Sequence, residues 1–175
     1  MLLDWSRSAQ ANWAIARPVF DVAMLRKLRL RAIGFSRYEI GELHRGKLPD
    51  DVKSDLLPLS KIKPQVALEI QRAYCGRLPP DVLAKFIMIR HAQDGLFALA
   101  LSEGSPERAI LIASRQHVIK DTGVPLYLDK LGETGRTVSL SFVETGQDIA
   151  DEQVDFIWYT EKTSQPDPCE THSDN

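Results

Sequence analysis

Between residues 26 and 47 the sequence gathers Arg26, Lys27, Arg31, Arg37, Arg45 and Lys47 around Tyr38. Side chains of this kind neutralise phosphate oxygens and reach hydrogen-bond acceptors on base edges, so the segment has the chemistry of a nucleic-acid contact. Metal chemistry has less to draw on. His44, His91 and His117 stand singly, without Cys-x-x-Cys or His-x-x-x-His spacing, and only Cys169, His172 and Asp174 fall close together. No metal site is expected. A Gly-x-Ser-x-Gly elbow is absent and no serine, histidine and carboxylate set can be assembled. No catalytic residue and no cofactor is expected, and a non-enzymatic role is the preferred reading.

Two further stretches have a chemical reading and a plainer structural one. Arg90-His91, after the apolar run 86–89, resembles the strand-ending Arg-His pair of histidine phosphatases, in which histidine attacks phosphorus and arginine holds its oxygens. It sits mid-chain and runs into a turn signal, so a strand end reaching solvent is preferred. Gly132-Glu133-Thr134-Gly135-Arg136-Thr137 is short by two residues for a phosphate-binding loop and is followed by a strand pattern. It reads as a hairpin turn.

The elements that would position these residues follow from periodicity. Trp5, Ala9, Trp13 and Ala16 form a helical stripe, and Val22, Leu25, Leu28 and Ala32 form another that starts near Pro18 and ends at Gly34. Ser36-Arg37-Tyr38-Glu39 has the form of a capping box, predicting a helix over 37–45 closed by Gly46. One or two helical turns are expected over 50–55. Pro64 and Gly76 bracket a further helix.

Beyond Pro80 the period shortens to about 2, which predicts strands. Residues 86–90 and 96–102 flank Asp94-Gly95, a hairpin signal. Residues 108–114, 125–131, 137–143 and a run through Val154, Phe156 and Trp158 complete five or six strands. The fold class is therefore α+β: an N-terminal helical layer packed on a five- or six-stranded, mainly antiparallel sheet. Residues 1–85 make a helix-rich basic half and 86–160 a β-rich acidic half of one compact unit, and 161–175, without apolar residues to bury, reads as a disordered tail.

Composition agrees with one core: 175 residues, 43% hydrophobic and 26% charged. The net charge of -2 conceals an asymmetry, since residues 1–90 hold 16 Lys and Arg against 9 Asp and Glu, and residues 91–175 hold 6 against 15. The basic half could meet an anion, or the two halves could simply solvate each other. No run of about eighteen apolar residues suggests a membrane span. Asp4, Arg7 and Gln10 interrupt any leader-like segment, and the two cysteines do not suggest a disulfide framework. A cytoplasmic, reducing location is expected.

Residues 29–49 resemble the helix-turn-helix of phage-repressor-type DNA-binding regulators: Ile33, Gly34, Phe35, Ser36, Ile40 and Leu43 stand where that family turns and packs its reading helix. The resemblance implies that Arg37, Tyr38 and Arg45 face the major groove or its phosphates, with Arg26, Lys27, Arg31 and Lys47 on the backbone. A plain helical corner is the structural alternative. The preferred function is a small DNA-associated regulator or accessory factor that binds duplex DNA, its sheet serving dimerisation or a second partner. A protein-interaction module (adaptor, chaperone or inhibitor), engaging a partner through a sheet edge or the N-terminal helix, is the rival. An enzyme or sensor with a small-molecule pocket between helices and sheet is third.

Overall fold

A computed structural model describes residues 13–47, 59–103, 108–132, 137–147, 153–162 and 169. Among the described residues five helices come first: α1 (Trp13–Leu25), α2 (Arg37–His44), α3 (Leu59–Ala73), α4 (Pro80–Glu103) and, after a short 3-10 turn (Arg115–His117), α5 (Val124–Lys130). Strands β1 (Leu140–Glu144) and β2 (Phe156–Thr160) follow and pair in parallel, Leu140 against Phe156 and Phe142 against Trp158.

The expected antiparallel sheet of five or six strands is not what forms. Residues 86–102, expected as a hairpin, are one continuous α4 of 24 residues. Ile87, Ile89, Ala92, Phe97, Ala98, Leu99 and Ala100 are buried on several sides of this helix, so its apolar residues leave no single stripe and mimic a strand run. Asp94-Gly95 makes no turn because the Asp94 carboxylate is engaged by Arg90 and His117 across the helix surface. Residues 108–114 form no strand, and most of 125–131 is α5. The last two expected strands exist, but they run parallel.

Helix ends follow local chemistry more closely. Ser36 caps α2 through its hydroxyl, which accepts from the Glu39 amide at 3.3 Å, while Glu39 Oε2 accepts from the Ser36 amide at 2.6 Å. Gly46, at φ +80°, closes it. Helix α1 runs through Pro18 and ends at Leu25, and residues 28–33, expected to be helical, are not. Helix α3 begins five residues before Pro64, and Gln71 secures its exit by exchanging hydrogen bonds with the Leu78 backbone. The expected helices before residue 13 and over 50–55 lie outside the described residues.

The main core joins Val66 and Ile70 of α3, Ile87, Phe97 and Ala98 of α4, and Val124, Tyr127 and Leu128 of α5. A smaller cluster fixes α2 on α4 through Leu43, Ile89 and Ala92. Contrary to expectation, Cys75 and Cys169 form a disulfide, with 94 residues of sequence separation. It ties the exit of α3 to a point in the segment expected to be a disordered tail. Among the described residues no helix is long and apolar enough to cross a membrane.

Candidate functional site

Because α4 is one helix, residues 86, 90, 94 and 97 fall on a single face at i, i+4, i+8 and i+11. Each carries a group that engages another element. Arg90 is buried and donates from Nε to Asp94 Oδ2 at 2.7 Å, from a terminal nitrogen to Glu69 Oε2 of α3 at 3.4 Å, and from the other to the Gln116 carbonyl. Asp94 is wholly buried, and its second oxygen accepts from His117 Nδ1 at 2.6 Å. Glu69 Oε1 accepts from the Thr122 hydroxyl at 3.1 Å, which closes the cluster. Phe97 meets the His117 ring edge-on at 5.1 Å.

Burying a guanidinium and a carboxylate is costly unless each is paired, and here Arg90 has Asp94 and the partly buried Glu69 on it while Asp94 has Arg90 and His117. Clusters of this kind concentrate where a protein must hold side chains in fixed geometry. Asp94 orients the His117 imidazole as a carboxylate orients a catalytic histidine, by accepting a hydrogen bond from Nδ1–H. Gly123 allows this packing. A Cβ at that position would lie 2.5 Å from the His117 carbonyl oxygen and 2.8 Å from that of Ile119.

On the neighbouring face of α4, His91 Nδ1 and the Tyr127 hydroxyl share a hydrogen bond of 2.5 Å. Burial, and then the Asp94 charge, hold the Tyr127 phenol well above its ordinary value, so it stays protonated.

The start of the same α4 stripe is more open. Phe86 receives the His44 ring edge-on from the end of α2, centroids 5.9 Å apart, and the Tyr74 ring edge-on from beyond α3, 5.1 Å apart. Tyr74 is 46% exposed. Arg72 and Lys85 are exposed beside Tyr74 and Phe86 in sequence. The trio therefore presents an imidazole, a phenol and an apolar ring at one place. Among the described residues no group of three His, Cys, Asp or Glu is placed to hold a metal ion.

Three of the residues expected to contact DNA, Arg31, Arg45 and Lys47, lie close to carboxylates. Arg45 and Lys47 both pair with Glu42, whose carboxyl is held below its ordinary value by Lys47 first and Arg45 second. Arg31 lies 3.9 Å from Glu103. Tyr38 is exposed on α2, and Arg26 and Lys27 are exposed just past α1. The Arg37 side chain lies outside what is described. Of the groups gathered on α4, sequence reasoning singled out only the Arg90-His91 pair, for phosphoryl chemistry, and Asp94, as a turn residue. Glu69, Tyr74, Thr122 and Tyr127 drew no attention. An i, i+4 Arg-Asp pair, read as helical, was the available signal.

No protein-family model and no curated protein matches this sequence. Among solved structures, ChaN of Campylobacter jejuni, described for its cofacial heme binding, matches with a TM-score of 0.72 and 21% identity. The match covers 83% of this chain and 56% of that one, so this chain spans little more than half the length of the protein it resembles. The reading as a small DNA-associated regulator is corrected by this likeness, and the expected antiparallel sheet by the two-stranded parallel one. What the comparison shows is the fold, and that fold is shared with a ChaN chain.

Proposed function

We propose that this protein binds a planar tetrapyrrole of the heme class where His44, Tyr74 and Phe86 meet. The observation that carries the reading is the convergence of His44, at the end of α2, and Tyr74, just past α3, on the one Phe86 ring. Imidazole nitrogen and phenol oxygen are both established heme-iron ligands, and an aromatic edge suits the macrocycle's apolar surface. Exposed Arg72 and Lys85 suit its carboxylates. The likeness to a heme-binding ChaN supports ligand binding in place of DNA regulation.

In this reading the buried cluster has a positioning role. Glu69 and Arg90 join α3 to α4, which sets Tyr74 against Phe86, and Leu43 with Ile89 joins α2 to α4, which sets His44. When bound, the group supplies an iron centre that accepts an imidazole or phenolate ligand. The chain's own residues bind, orient and shield one of its edges.

Titration with hemin, and separately with metal-free protoporphyrin IX, tests this by Soret absorbance. A shifted Soret band with hemin is expected, and His44→Ala and Tyr74→Phe should each weaken binding by about tenfold or more, with a change in the band position. Absence of a band shift at micromolar protein, or equal binding by both variants, would defeat the proposal.

A further inference from the structure

We infer that the Cys75–Cys169 disulfide is a redox switch on the aromatic site: it holds Tyr74 against Phe86, so that hemin binds tightly to the disulfide form and weakly to the dithiol form. The inference rests on the heme-class reading of that site and adds its regulation.

Tyr74 caps the end of α3, and the residues after it close the helix by a fixed pattern of backbone bonds. The Cys75 amide donates to the Arg72 carbonyl at 3.1 Å and the Gly76 amide to the Gln71 carbonyl at 2.7 Å, the two bonds of a Schellman motif. The residue in the place of Cys75 takes the left-handed conformation in this motif, and it does so here at φ +58°. Glycine is favoured there because a Cβ resists that conformation. This chain sets its glycine one residue later and puts cysteine where the backbone favours glycine. Among the described residues Lys27 is the only other non-glycine residue with positive φ. The Cys75 side chain therefore serves something other than the turn, and its sulfur is bonded to Cys169, 94 positions away.

The bond is within reach of a reductant. Cys75 and Cys169 are both only partly buried, and Arg72, Ala73, Tyr74, Gly76 and Arg77 around the first are exposed. A dithiol attacks one sulfur as its thiolate, and its second thiol resolves the mixed disulfide. Two electrons and two protons pass to the cysteines, which become thiols, while the dithiol becomes a disulfide.

Reduction frees Cys75 to leave the left-handed conformation, and the two bonds that close the helix go with it. Tyr74 is then held by its own amide alone, on the Ile70 and Gln71 carbonyls, at an end that frays. Upstream, Val66 and Ile70 remain in the core and Gln71 remains on the Leu78 backbone, so α3 itself persists. His44 is fixed separately, by Leu43 against Ile89 and Ala92. One side chain of the proposed pair is thus under the control of the disulfide and the other is not.

The disulfide form of the wild type is compared with Cys75→Ser/Cys169→Ser, which stands for the dithiol form without offering iron a thiolate. Hydrogen exchange of the unliganded chains, read by mass spectrometry, should be at least about tenfold faster in the variant over residues 74–77 and unchanged over α2. Phosphine reduction of the wild type should reproduce the faster exchange, and reoxidation should reverse it. Soret titration with hemin should give a dissociation constant at least about fivefold higher for the variant, a ratio that falls below about twofold when both chains also carry Tyr74→Phe. Equal exchange in the two forms, equal hemin affinity, or a ratio that survives Tyr74→Phe would overturn the proposal. Loss of helical circular dichroism in the variant and in the reduced wild type would overturn it too, because the bond would then serve the whole fold. Altered exchange with no Soret shift in either form keeps the switch on Tyr74 and removes the heme reading instead.

Discussion

Replacing Asp94 tests whether the buried cluster holds the helices in place. Asp94→Ala removes a wholly buried carboxylate that accepts from Arg90 at 2.7 Å and from His117 at 2.6 Å. Breaking a buried ion pair from one side costs about 3–5 kcal/mol, because the remaining charge stays out of water. Arg90 keeps Glu69 and the Gln116 carbonyl as acceptors, so the lower end, about 3 kcal/mol, is expected. With a urea m-value of about 2 kcal/mol/M, the unfolding midpoint should fall by about 1.5 M at unchanged slope. The companion Arg90→Met/Asp94→Leu replaces both partners by apolar groups of similar size and should recover much of the loss, giving a coupling of about 2 kcal/mol in the double-mutant cycle. A midpoint shift below about 0.25 M for Asp94→Ala, or strict additivity of the two single changes, would falsify the view that this cluster organises the core.

Other perturbations have equally definite expectations. Gly123→Ala drives a methyl to within 2.5 Å of a backbone oxygen and should cost about 2–3 kcal/mol, read as a melting temperature lower by about 8 °C. Cys75→Ser/Cys169→Ser opens a covalent loop with 94 residues of separation; chain entropy assigns about 4–5 kcal/mol to such a closure, so melting should drop by about 10 °C, as it should for the wild type in reductant. The Tyr127 phenol is raised by burial and by Asp94, so its stabilisation is fully present below the unfolded phenol value of about 10 and is lost as pH climbs from there toward the folded value. Tyr127→Phe should show a shallower decline than the wild type when unfolding is measured from pH 9 to 12. Asp155 is lowered, first by the Ser139 backbone amide and further by Lys120, so its contribution is present above the ordinary value of 3.8 and disappears on acidification below it. Asp155→Asn should flatten that acid limb of the stability profile.

Local signals in the sequence were legible where a few neighbouring residues decide the outcome. Ser36 and Glu39 announce the start of α2, Gly46 its end, and Gly76 the exit of α3. The alternation through Val138, Leu140 and Phe142 marks β1, but which of its faces is covered depends on contacts that alternation does not encode. Helix α4 was missed for a physical reason. A helix buried on several sides loses its amphipathic period, and Asp94-Gly95 then offers the only local cue, a turn that tertiary pairing overrides. With α4 misread as two strands, Arg90 and Asp94 would point to places unrelated by any helical turn, and their partners Glu69, His117 and Thr122, separated by tens of residues, carry no spacing that pattern reading could detect. The cysteines show the same limit, since nothing in the residues between them says that Cys75 and Cys169 meet.

One consequence of the α4 stripe concerns how this protein tolerates change in length. Phe86, Arg90, Asp94 and Phe97 span about 16 Å along a rigid rod, and each successive residue turns the rod by about 100°. Inserting or deleting a single residue between Arg90 and Asp94 would swing everything beyond it through more than a quarter-circle, detaching His117 from its carboxylate while leaving the aromatic trio at the other end in register. The helix acts as a ruler with marks on one edge, and exchanges of residue type at its exposed positions, such as Ala84 and Lys85, should be far better tolerated than any change in the count between those marks.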